Sequence, residues 1–169
     1  MIIVYKKEGG EKMYKTLKVR IDADKDIKGF LLQYEMVYHR ALQHYVNVMI
    51  KRKKEVKYFM HSVMHSIAKH SRYLLYREAC RRYAYYQKHQ TWQFVKSSVW
   101  SAQDFIIEER KIILFFPDIF AYQTMVLPIA CEKEEWQNIE GKRIVKMDLL
   151  HDESYWFCNI VYEVTCSEA

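Results

Sequence analysis

Two histidines one helical turn apart, His61 and His65, with His70 shortly after, have the spacing of a metal-ligand pair. No carboxylate or cysteine at metal-site spacing completes the set, so polar side chains on a solvated or RNA-facing surface are the stronger reading. Glu108-Glu109 and the group Glu132, Glu134, Glu135 read as charge runs in turns and strand ends. Acid–base chemistry needs an isolated, buried pair, and these runs do not supply one. No phosphate-binding glycine loop, no H-E-x-x-H and no G-x-S-x-G occurs. The sequence therefore predicts no catalytic site, no metal and no cofactor.

A different chemistry is concentrated between residues 51 and 96, where twelve Lys/Arg stand against Glu55 and Glu78 only. Residues 97–169 reverse the balance, with six basic against thirteen acidic residues. A basic middle beside an acidic end has the electrostatic character of a polyanion-binding surface. Tyrosines and histidines interleave with the cations. Guanidinium and ammonium groups contact phosphates, while Tyr and His rings stack on unpaired bases. Tyr58 and Tyr85 are the tyrosines that periodicity leaves outward.

The elements that must position these groups follow from spacing. Residues 14–21 alternate, with Leu17, Val19 and Ile21 toward a core and Lys18 and Arg20 outward, which predicts a strand. Residues 1–12, with the Gly9-Gly10 turn, read as a peripheral extension or hairpin arm. Asp24 or Asp26 caps a long amphipathic helix running to about Ile50, with Ile27, Phe30, Leu31, Tyr34, Val37, Tyr38, Ala41, Tyr45 and Val48 on its apolar stripe. Past the junction Lys51-Arg52-Lys53-Lys54, a second helix is predicted with Val56, Met60, Val63 and Ile67 inward. Lys54, Tyr58, His61, His65 and Lys69 line up opposite. Ser71 is placed as the cap of a third helix that buries Leu75, Ala79, Tyr83 and Tyr86. At 100° per residue, Arg77, Arg81 and Lys88 share its outer side. Beyond Thr91 come about five short β-rich runs: 105–107, 111–116, 122–129, 143–149 and 155–164.

A lone first strand must pair with the late strands. The predicted fold is therefore α+β: a small β-barrel with an inserted bundle of about three helices. Its divisions are the extension and first barrel strand (1–24), the bundle (25–95) and the remaining strands (96–169). A chain of 169 residues can bury roughly 70% of its unfolded surface without staples. Cys80, Cys131, Cys158 and Cys166 form no C-x-x-C and read as reduced thiols. No apolar run reaches the roughly 18 residues of a membrane span, and the charged amino terminus has no signal-peptide core. A cytoplasmic location and no membrane partner are the expectations.

At this point the arrangement resembles a known family. Met13-Tyr14-Lys15-Thr16-Leu17-Lys18-Val19-Arg20-Ile21 is similar to the start of TnpB/OrfB-type transposon-encoded RNA-guided nucleases, relatives of the type V CRISPR effectors. Tyr38-His39-Arg40-Ala41-Leu42-Gln43-His44-Tyr45 looks like that family's first recognition-lobe helix. The segment from Ser98 to Phe115 resembles the strands after the helices, and Gly141 to Val164 the last strands before the nuclease domain. The resemblance implies a wedge-type barrel interrupted by a recognition lobe, which contacts guide RNA and an RNA–DNA duplex through backbone and shape. In the family an Asp-x-Gly then opens a RuvC-like nuclease domain, followed by further acidic residues and a four-cysteine zinc motif. Here Val164 is followed by Thr165-Cys166-Ser167-Glu168-Ala169. Guided cleavage is accordingly not expected of this chain.

The sequence thus predicts a nuclease-deficient nucleic-acid-binding protein. Structured guide-type RNA, a target DNA duplex and a separate nuclease subunit are its expected partners. Lys18, Arg20, Lys54, Tyr58, His61, Lys69, Arg77, Arg81, Arg82 and Lys88 are the expected contacts. The rivals are a guide-independent DNA-binding regulator and a protein–protein adaptor whose acidic half docks a basic partner.

Overall fold

The computed structural model describes residues 3–7, 10–91, 97–117 and 124–165, with side chains from residue 12 onward. Gly9, Lys96, Asp118, residues 122–123 and Cys166 lie outside the described residues, and so do the expectations that rest on them.

Strand β1 (Ile3–Lys7) and strand β2 (Gly10–Ile21) form an antiparallel hairpin. Alternation in β2 is as the sequence predicts: Val19 and Ile21 are buried, Leu17 half-buried, Lys18 and Arg20 exposed. After the helices come β3 (Ser97–Ser101), β4 (Phe105–Glu108), β5 (Lys111–Phe115), β6 (Thr124–Ala130), β7 (Ile144–His151) and β8 (Trp156–Val164). The first strand pairs with late ones, as expected. β2 runs antiparallel to β8 from Met13↔Val164 to Ile21↔Trp156, and to β6 at Arg20↔Ala130 and Ile21↔Ile129.

The strands lie in the order β3-β7-β8-β2-β6-β5-β4 and form a curled antiparallel sheet, a half-barrel. Two features accompany the curl: β2, still paired with β8, also takes up β6 only over its last two residues, and β7 carries an irregularity between Ile144 and Lys146. The end strands β3 and β4 are consecutive in sequence, and no ladder joins them among the described residues. Among the described residues six strands follow α2, where about five were expected. A short helix α3 (Lys133–Gln137) stands where the sequence suggested only charged turns. Its Trp136 is buried, and so is Ile139 just beyond it.

Helix α1 (Lys25–Arg52) begins where predicted, Asp24 Oδ1 accepting the Ile27 N–H at 2.8 Å. Its Leu31, Tyr34, Tyr38, Ala41, Leu42, Tyr45, Val46 and Met49 are buried, and they join the sheet's inner face in one core. Tyr34 packs on Trp100 of β3 with centroids 4.7 Å apart, and Phe30 and Tyr34 meet Phe116 at 4.6 and 5.6 Å. Helix α2 (Arg72–His89) also packs on β3, so an end strand of the sheet is covered by the helices.

The second helix does not form. Lys53 adopts a left-handed conformation (φ 55°) and ends α1, its N–H bonding Ile50 O at 3.2 Å while that of Lys54 reaches Met49 O at 3.2 Å. Residues 55–61 then run without helix, followed by single 3₁₀ turns at Ser62–Ser66 and Lys69–Ser71. Tyrosines of α1 and α2 bond three backbone groups of this segment. Tyr45 OH donates to Phe59 O, Tyr76 OH donates to Val56 O at 2.7 Å, and the Ala68 N–H donates to Tyr34 OH at 3.1 Å. Carbonyls so bonded need no helical partner, which removes much of the local drive to coil. The apparent stripe fails at Met60, which is exposed.

Ser71 precedes α2 without capping it. Its hydroxyl donates to Asp104 Oδ2 at 2.5 Å and accepts the Ser101 N–H at 2.9 Å, while Asp104 Oδ1 accepts the His70 N–H at 3.2 Å. Asp104 is buried, so this hub locks the β3–β4 turn to the start of α2. Asp104→Ala strips two donors of their acceptor and is expected to cost about 1–3 kcal/mol. Urea denaturation should show a lower midpoint with an unchanged slope. An unaltered midpoint would remove the hub from this account.

Candidate nucleic-acid interface

Helix α2 buries Leu75, Ala79 and Tyr83, leaves Tyr86 half-buried and presents Arg77, Arg81 and Lys88 to solvent, as its spacing predicts. Two of the predicted cations are engaged within the protein. Arg81 Nη1 meets Glu78 Oε2 at 2.8 Å, and Arg82 Nε meets Glu78 Oε1 at 3.0 Å. The Arg82 side chain is only 16% exposed. Arg82, expected among the nucleic-acid contacts, instead turns into the seam between α2 and the sheet. Arg81 remains outward with its charge shared, an exposed pair of the kind worth about 0–1 kcal/mol.

The non-helical segment after α1 gathers a second set. Lys51, Arg52, Lys53, Lys54 and Lys57 are all exposed, and none forms an ion pair among the described residues. A groove of about 670 Å³ opens between the end of α1 and this segment, lined by His44, Arg52, Lys54, Lys57, Tyr58 and Phe59, among others. Glu55, the acid of the stretch, lies beside the Cys80 thiol, which burial first and Glu55 second push upward. The Tyr58 ring meets those of Tyr73 and Tyr76 on α2 at 6.0 and 5.7 Å. Lys69, on the second 3₁₀ turn, is exposed and does not continue this line along a helix.

His61 is a correction. It is half-buried, its ring 4.3 Å from His44, 4.9 Å from Tyr45 and 5.7 Å from Phe59. Without a second helix it does not share an outer face with Lys54 and Tyr58. Burial first, then His44, pushes it down to about 4. His39 of α1 is likewise pushed down to about 4, by burial and then by Arg82 and His151.

The unfolded chain protonates such histidines near 6.5, whereas the native state resists until about 4. The stability they contribute is therefore present above pH 6.5 and lost as pH falls toward 4. Relative to His61→Phe, the wild type should lose melting temperature as pH is lowered through that window. Parallel pH profiles for the two proteins would show that His61 titrates normally.

On the sheet, Lys18 Nζ sits 4.5 Å from the Phe157 ring centre and the Arg20 guanidinium 5.0 Å from that of Tyr155. These cation–π contacts hold both cations on one face of β2 and β8. Tyr85, the other stacking candidate the sequence suggested, has its ring against that of His89 at 4.2 Å.

Sequence reasoning missed a polar cleft of about 670 Å³ between the helices and β3, β7 and β8, lined in part by Tyr38, His39, Glu78, Asp148 and His151. His151 Nε2 meets Glu35 Oε2 at 2.9 Å, and burial pushes the Asp148 carboxyl up, with Glu78 adding to it. These residues lie on three elements, α1, α2 and β7, far apart in sequence, so no local spacing signals them. Among the described residues no group of three or more His, Cys, Asp or Glu side chains could hold a metal. No helix among them is long and apolar enough to cross a membrane. Tyr73, Arg52 and Lys57 were also missed as site residues; the run of cations was the available signal for the last two.

No protein-family model matches this chain, and no curated protein matches it in sequence.

Proposed function

We propose that the protein binds nucleic acid, RNA first, and acts in the cytoplasm without catalysing a reaction of its own. The observation that carries this reading is the set of exposed cations without ion-pair partners among the described residues: Lys51, Arg52, Lys53, Lys54, Lys57, Arg77 and Lys88. Beyond the modest effect of Lys51, Arg52 and Lys88 on the ends of their helices, such charge has little structural use, whereas each cation set against a phosphate releases condensed counterions. On the resemblance to TnpB/OrfB-type proteins, the ligand is a structured guide-type RNA, with a target DNA duplex and a separate nuclease subunit as further partners. In the same reading the curled sheet closes into a wedge-like barrel through β3 and β4.

Purification without nuclease treatment, followed by sequencing of the co-purifying nucleic acid, tests the proposal. A discrete RNA population is expected. A preparation free of nucleic acid that also fails to bind folded RNA at low salt would refute it. Equal affinity for plain DNA duplex and folded RNA would point to a DNA-binding regulator. No Mg²⁺-dependent cleavage of single- or double-stranded DNA is expected. Cutting that survives stringent purification and depends on one carboxylate of this chain would overturn the non-catalytic assignment.

A further inference from the structure

The groove after α1 has a feature that phosphate contact alone does not need. Tyr58, 38% exposed, lines it, and Tyr73, 55% exposed, stands against the Tyr58 ring. Neither is a loose surface side chain. Tyr58 is set edge-to-face against Tyr73 (61°) and Tyr76 (75°), and its hydroxyl donates to Met60 Sδ at 3.1 Å. Tyr73 packs in turn on Tyr76 at 5.7 Å. Tyr76 is buried and bonded to Val56 O, so the cluster is anchored to the segment that carries the cations. The backbone there is held again at Phe59 by Tyr45. The rings, and the backbone that carries Lys54 and Lys57, are therefore positioned before any ligand arrives, which lowers the ordering cost of binding.

Cations flank the rings on both sides. Lys54 and Lys57 precede Tyr58 in the segment, and Arg77 follows Tyr73 by one turn of α2. Paired bases in a duplex hide their faces in the stack, whereas an unpaired base offers a π-face to an aromatic ring. A duplex could use the cations but would leave both tyrosines idle.

We propose that Tyr58 and Tyr73, with Lys54, Lys57 and Arg77, form a binding site for unpaired nucleotides, so that this surface takes single-stranded nucleic acid in preference to duplex. The inference rests on the nucleic-acid-binding reading above and specifies the form of ligand at that site.

Fluorescence anisotropy with the full chain tests it, using a labelled oligouridine of roughly twelve nucleotides and an RNA duplex of the same length. The single strand is expected to bind more tightly. Tyr58→Ala and Tyr73→Ala should each weaken it by roughly 5- to 150-fold, as loss of one stacked base does. The slope of affinity against salt should stay unchanged, because a stack releases no counterions. Tyr73 is the more exposed of the two, so its variant keeps the test valid if Tyr58→Ala folds poorly. Duplex binding as tight as single-strand binding, or tyrosine variants that bind like wild type, overturns this inference while the broader reading stands. Failure of both probes to bind also overturns this inference, and failure of folded RNA to bind alongside them overturns the broader reading with it.

Discussion

Replacing Lys51, Arg52, Lys54 and Lys57 together by glutamine is expected to weaken RNA binding by on the order of a hundred- to a thousandfold near 0.1 M salt. The same change should flatten the dependence of log affinity on log salt by about three, since each lost phosphate contact removes roughly 0.7–0.9 from the slope. All four side chains are exposed and form no ion pair among the described residues, so their contribution to the native state is small. Lys51 and Arg52 occupy the last turn of α1 and favour its dipole by about 0.3–1 kcal/mol each, so folding is checked first by thermal melting. The outcome separates two roles for this charge. If affinity and slope both persist, the cations only keep the surface solvated. If affinity falls without a change of slope, the loss lies in shape rather than in counterion release.

The largest stability effect is expected at Trp100. Its side chain is fully buried, packed on Tyr34 at 4.7 Å and Phe116 at 5.4 Å, with Nε1 donating to Ser98 Oγ at 3.1 Å. It sits on β3, the end strand that α1 and α2 cover, so it joins the helical layer to the sheet. Trp100→Ala should cost about 3–5 kcal/mol, the sum of lost transfer energy and an uncollapsed cavity. The Tyr34 ring would lose one of its ring partners, and that tyrosine's hydroxyl holds Ala68, so the loss reaches the 3₁₀ turns as well. Trp100→Phe keeps most of the ring contact and should cost less. Urea melts of the two variants check this. A Trp100→Ala protein that unfolds at the wild-type midpoint would mean that the helices and the sheet are joined elsewhere.

Much of this architecture is written locally. The Asp24 cap and the three- and four-residue spacing from Ile27 to Val48 specify α1, because an amphipathic stripe longer than two turns has few other ways to bury itself. Two-residue alternation specifies β2, and the lone strand's need for partners points to β8 and β6. The side on which Arg77 and Lys88 emerge follows from 100° per residue. What local spacing reported wrongly was the stretch from Lys54 to Lys69. There Val56, Val63 and Ile67 imitate a stripe, while hydroxyls of Tyr45 and Tyr76, fourteen and twenty residues from their acceptors, bond the backbone in another form.

The same division holds for the candidate site. The sequence by itself determines how many cations the middle of the chain carries, and that tyrosines accompany them. Which of those cations is available was decided only by the tertiary structure. Glu78 takes up Arg82 and shares Arg81, and Tyr45 and Phe59 draw His61 inward. The tertiary structure also brings Tyr58 against Tyr73, fifteen positions away, to make an aromatic pair that no helical period relates. The physical reason is one of range. Periodicity and capping act within a few residues, whereas burial, pairing and hydroxyl-to-carbonyl bonds depend on groups that only the folded chain brings together.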